Sequence, residues 1–101
     1  MNDKAFLDGK KVVPTDDLMA WATGFDAVSR RVAHDEVGDV RISTVFLGLN
    51  HSWGDAPPLW FETMIFGGEH NDYTDRYETW EQAEAGHKKA LALVDKNGHK
   101  P

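Results

Sequence analysis

Two β-rich runs, Val40 to Leu49 and Leu59 to Phe66, constrain this chain more than any other feature. The first carries Ile42, Thr44, Val45, Phe46 and Leu47, and the second is dense in Phe, Trp, Ile and Met. β-branched and aromatic residues at that density fit a pleated surface. Both runs are nearly continuously apolar, so the expectation is cover on both faces, by helices on one side and by a partner or a loop on the other. Upstream, Val32, His34 and Val37 alternate weakly and Gly38-Asp39 supplies a turn, which makes a hairpin with the first run. Gly67-Gly68 closes the second run, and Glu69 to Glu78 reads as a polar connector.

Helical signals flank this block. Thr15 stands where an N-cap is wanted, Asp16 and Asp17 favour the positive end of a helix, and Leu18, Trp21, Ala22, Phe25 and Val28 follow at spacings of three and four. The spacing predicts a helix from about Asp16 to about Ser29. Thr79-Trp80-Glu81-Gln82 is a capping box, and Trp80, Ala83, His87, Ala90, Leu91 and Val94 form an apolar stripe behind it, ending at Asn97-Gly98. At the start, Phe6-Leu7 and Val12-Val13 flank the turn dipeptide Asp8-Gly9, and Pro14 stops the second segment. The sum is one α+β domain spanning residues 1–101, with a small antiparallel sheet (a three-strand meander plus an N-terminal strand) and two helices packed on one face. A homodimer would cover the second, apolar face.

Composition narrows the function. At 101 residues, 41% hydrophobic and 28% charged, the chain has a globular balance and room for one core. No run approaches the roughly eighteen apolar residues of a membrane span, and Met1 to Asp8 lack the apolar stretch of a signal peptide, so no membrane partner and no export by that route are expected. Zero cysteine removes disulfides, thiolate catalysis and cysteine-ligated metals together and suits a reducing cytoplasm. A net charge of −6 opposes direct nucleic-acid binding. Phosphate-binding glycine loops and a G-x-S-x-G serine are absent, no histidine spacing matches a metal motif, and no cofactor is expected.

The most distinctive segment is the loop Asn50-His51-Ser52-Trp53-Gly54-Asp55-Ala56-Pro57-Pro58. One reading makes it a binding lip, with Trp53 and Trp60 as aromatic anchors and Asn50, His51 and Asp55 as polar readers. The other folds Trp53 back onto the sheet and uses the prolines to fix strand entry. Glu62 interrupts the second run and needs a partner, for which Arg41 on the neighbouring strand is the candidate. Glu62 and His70 form a possible polar site of the kind a hydrolase uses. His87, on the helical stripe, reads as a core histidine with one satisfied N–H. Acidic residues recur every third position from Glu69 to Glu84, which helix electrostatics and solubility account for more simply than mimicry of nucleic acid.

The blocks Ser43-Thr44-Val45-Phe46-Leu47-Gly48-Leu49-Asn50-His51, Pro57-Pro58-Leu59, Phe61-Glu62-Thr63-Met64-Ile65-Phe66-Gly67-Gly68, Arg76-Tyr77 and Thr79-Trp80-Glu81-Gln82-Ala83-Glu84-Ala85-Gly86-His87 resemble a family of small proteins encoded by tailed bacteriophages and prophages. The resemblance covers about Val12 to Val94 and implies action in the bacterial host cytoplasm, but it brings no catalytic residue with it. Three functions are therefore expected in order. The first is a non-enzymatic accessory protein that grips a host protein or sequesters a host signalling molecule, in host takeover or in countering host defence. The second is a small hydrolase or nucleotide-processing enzyme using His51 or His70 with Glu62. The third is a virion or assembly component marked by stable self-association.

Overall fold

The computed structural model describes residues 4–23, 30–50, 52 and 54–98. Among these the elements run β1 (Ala5–Asp8), β2 (Lys11–Pro14), α1 (Leu18–Thr23), β3 (Arg31–Val37), β4 (Val40–Phe46), β5 (Phe61–Phe66), β6 (Thr74–Tyr77) and α2 (Trp80–Gly98). The fold is α+β. Strands β3, β4, β5 and β6 form an antiparallel meander in sequence order, and β1 and β2 pair in a separate two-stranded sheet. The N-terminal strands thus stay outside the meander, tied to it where the Ala5 N–H donates to the Gly48 carbonyl at 3.1 Å.

The expected polar connector contains β6. Its sequence, Thr-Asp-Arg-Tyr, has one buried side chain, Tyr77, so an edge strand of this length carries no alternation to detect. Register places Glu62 opposite Arg76 and Phe61 opposite Tyr77. Strands alternate cleanly once paired: Ile42, Thr44 and Phe46 of β4 and Phe61, Thr63 and Ile65 of β5 are fully buried on one face. Val45, Met64 and Phe66 interleave with Arg41, Ser43 and Glu62 on the other face, which is why the sequence reads as almost unbroken apolar runs.

Helix α2 lies across the buried face. Its cap forms as expected, with Thr79 Oγ1 accepting from the Gln82 N–H at 3.1 Å and Gln82 Oε1 accepting from the N–H groups of Glu78 and Thr79. Ala83, Gly86, His87, Ala90 and Val94 turn inward while Glu81, Glu84, Lys88 and Lys89 face water. The small residues let the helix approach closely: any side chain at Gly86 would overlap the Tyr77 ring and hydroxyl. Helix α1 packs instead against β1 and is anchored by Trp21 Nε1 donating to the Gly48 carbonyl at 3.0 Å. Its cap is Asp17 rather than Thr15, since Asp17 Oδ1 accepts from Met19 and Ala20 while Thr15 Oγ1 takes the Asp17 N–H. Leu18, assigned by spacing to the apolar stripe, is 61% exposed. The expected continuation of this helix through residues 24–29 lies outside the described residues.

Burial pushes the Tyr77 phenol above its ordinary value of 10.0, with Asp75 adding to the rise and Thr63 opposing it. Its hydroxyl is buried without a hydrogen bond of ordinary geometry. A phenol raised in the folded state stabilises fully below the unfolded value of 10.0 and loses that contribution as pH climbs through the folded value. Chemical denaturation as a function of pH should therefore show stability falling above pH 10, with a flatter profile for Tyr77→Phe and little loss near neutrality. Gly86→Ala should be destabilised by about 1–3 kcal/mol in thermal unfolding, because the added methyl has no room.

Candidate functional site

A cleft of about 700 Å³ opens between the N-terminal hairpin, the entry to β5 and the start of α2. Val12 and Pro14 come from β2, Pro58 and Trp60 from the segment before β5, and Thr79 and Trp80 from the helix cap. Charged groups rim it in two sets: Lys10 and Lys11 on the hairpin, and Glu78 and Glu81 at the helix start, with Asp8 beside the lysines. All five are exposed. The Lys10 ammonium stands 5.8 Å from the centre of the Trp80 ring, over a side chain that also meets Phe61 edge-on. Local sequence explains the walls. Pro14 ends the hairpin, Pro58 holds an extended approach, and the capping box fixes Trp80 at the first helical position.

The residues of the expected binding lip separate. Trp60 is not an exposed anchor: it is 3% exposed and belongs to the core cluster with Ala5, Phe46, Phe61, Tyr77 and Ala83. It is drawn inward because its backbone extends the ladder, the Trp60 N–H donating to Tyr77 and its carbonyl accepting from Leu47. Its small residual surface borders the cleft. Asn50 closes the loop rather than reading a ligand, since its Oδ1 accepts from the N–H groups of Ser52 at 2.8 Å and Leu59 at 3.1 Å. Asp55 is exposed in the turn beside Gly54. His51 and Trp53 lie outside the described residues.

The possible polar site of Glu62 and His70 does not form. Glu62 sits near the start of β5 and His70 in the turn after its end, so the strand itself holds them roughly 13 Å or more apart. Glu62 pairs with Arg76 at 3.0 Å, not with Arg41, because β6 places a guanidinium directly opposite it. Arg41 instead lies over the Phe66 ring, 4.7 Å from its centre.

A convergence of histidine, carboxylate and hydroxyl does exist elsewhere. His87 Nε2 stands 2.8 Å from Asp35 Oδ2, His87 Nδ1 2.7 Å from Thr44 Oγ1, and Thr44 Oγ1 2.5 Å from Thr63 Oγ1. An ionised Asp35 only accepts, so Nε2 carries a proton. In the neutral imidazole the donors then run in one direction, Thr63 to Thr44 to His87 to Asp35. The arrangement has the composition of a hydrolytic relay but not its access, because Thr44 and Thr63 are 0% exposed and His87 4%. Solvent reaches only half-exposed Asp35. The sequence marks His87 as a core histidine, but Asp35 carries no local signal as its partner, since the bulge near Ala33 breaks the alternation of β3 and fifty-two positions separate the two residues.

No family model, curated protein or solved structure matches the chain.

With a neutral His87 protonated on Nε2, the direction of the buried chain sets unequal costs. Thr44→Val strands both the Thr63 hydroxyl and His87 Nδ1 and should cost about 1–3 kcal/mol, whereas Thr63→Val leaves the Thr44-to-His87 bond intact and should cost under about 1 kcal/mol. Urea denaturation of the two isosteric variants measures the difference.

Proposed function

We propose that this protein is a small non-enzymatic binding module, phage-encoded in keeping with its sequence resemblance, that acts by occupying a host protein in the bacterial cytoplasm. The cleft beside the hairpin is its recognition surface. The observation that carries this reading is the make-up of that cleft: an apolar floor of Val12, Pro14, Pro58 and the two tryptophans, enclosed by a rim of exposed charges of both signs. Apolar concavity with a polar rim is the form of a recognition site. A hydrolase needs its nucleophile or base at a surface that substrate can reach, and among the described residues the one relay of that composition is sealed between helix and sheet. No helix is long and apolar enough to cross a membrane among the described residues.

The sequestering of a small signalling molecule is less well supported, because host nucleotides are strongly anionic and the cleft rim sets three carboxylates against two ammonium groups.

Affinity capture from host lysate with chemical cross-linking should recover one protein near stoichiometry, cross-linked through Lys10 or Lys11. The variant Lys11→Glu/Glu81→Lys, which alters only exposed rim charges, should lose that protein while retaining the circular dichroism of the wild type. Equal recovery on both baits would place recognition elsewhere on the molecule and sink this reading of the cleft.

A further inference from the structure

Resting on that reading, we propose that the cleft receives an extended peptide segment of the partner, which adds as a third strand to the free edge of β2 and seats an apolar side chain against Trp60 and Trp80. The two-stranded sheet contains β1 and β2 alone, so β2 has one edge that no described strand covers. Its residues Lys11, Val12 and Pro14 also wall the cleft. An unpaired edge beside an apolar depression is the arrangement used in strand addition, where the backbone supplies affinity and alternate side chains fill pockets.

Register identifies the backbone groups. The hairpin turns through Gly9 and Lys10, and Asp8 pairs with Lys11, Leu7 with Val12 and Phe6 with Val13. The pair closing a two-residue turn exchanges its own hydrogen bonds, so the next residue, Val12, turns its N–H and C=O to the outer edge. Two residues on, Pro14 occupies the same edge without an N–H to give. The added ladder is therefore short, with Val12 offering both a donor and an acceptor, and side-chain contacts must supply the selectivity.

Charge narrows the peptide. Side chains two apart in a strand share a face, so an anchor in the cleft has its i+2 or i−2 neighbour at the rim. Glu78 and Glu81 stand on the helix side of that rim, and the Lys10 ammonium, now 5.8 Å from the Trp80 ring centre, is displaced from that ring by the seated anchor. The peptide that fits carries an aromatic or branched aliphatic anchor with Lys or Arg two positions away.

The test is to pan a displayed heptapeptide library against the full chain, then to synthesise the enriched sequence and titrate it by calorimetry. Enrichment of an anchor-x-Lys/Arg pattern is expected. Methylating the peptide amide that faces Val12 should weaken binding about tenfold, the loss of one good hydrogen bond, with the protein itself unaltered. Val12→Pro should do the same from the other side, since it removes an N–H that β1 does not use. Glu78→Lys/Glu81→Lys should abolish the preference for a basic neighbour. No enrichment, or enriched peptides indifferent to amide methylation, overturns strand addition. If cross-linking through Lys10 or Lys11 persists in that event, the cleft still binds its partner and only the peptide mode falls.

Discussion

The last helix is held to the sheet by a buried polar chain at its middle and by apolar contact on either side, and the rest of the fold follows from that seam. Thr44 and Thr63 face each other across β4 and β5, and His87 descends from α2 to meet them. On one side lie Phe46, Phe61, Trp60, Tyr77 and Ala83, and on the other Ile42, Ile65, Ala90 and Val94. Apolar packing alone tolerates a helix sliding along a sheet, whereas hydrogen bonds with fixed partners allow one register. With α2 so placed, Gly86 meets Tyr77 and the helix start arrives beside Trp60.

That arrival makes the cleft. The N-terminal hairpin is not a strand of the main sheet but a flap bonded through Ala5 to Gly48 and lying against the same core cluster through Leu7 and Val12. Because the hairpin approaches the helix cap without covering it, Val12 and Pro14 become one wall and Trp80 another. The fold thus converts two unrelated local signals, a turn dipeptide and a capping box, into a single concave surface.

Local signals were the legible part. The capping box, the Gly38-Asp39 turn, the stripe of α2 and the two hydrophobic strands all state their structure within a few residues, because capping, turn chemistry and periodicity are short-range effects. Partners set by strand register were not. The β4–β5 register sets Glu62 opposite Val45 and leaves Arg41 at the far end opposite Phe66, while β6, which has a single buried residue, brings Arg76 to Glu62. Trp60 reads as an anchor at a loop margin, yet the ladder it extends turns it into the core. The relay of Asp35, Thr44, Thr63 and His87 spans fifty-two positions between Asp35 and His87, and no sequence window joins them.

Pro14 has a consequence for the life of the chain in a crowded cell. A strand edge without a neighbouring strand is open to pairing with another copy of itself, and repeated pairing of that kind is how sheets grow into fibres. The missing N–H at Pro14 interrupts the row of donors after one residue, so a templated stack has nothing to continue upon. The imino ring thus acts as a gatekeeper on an edge that no described strand covers, working against self-templated pairing.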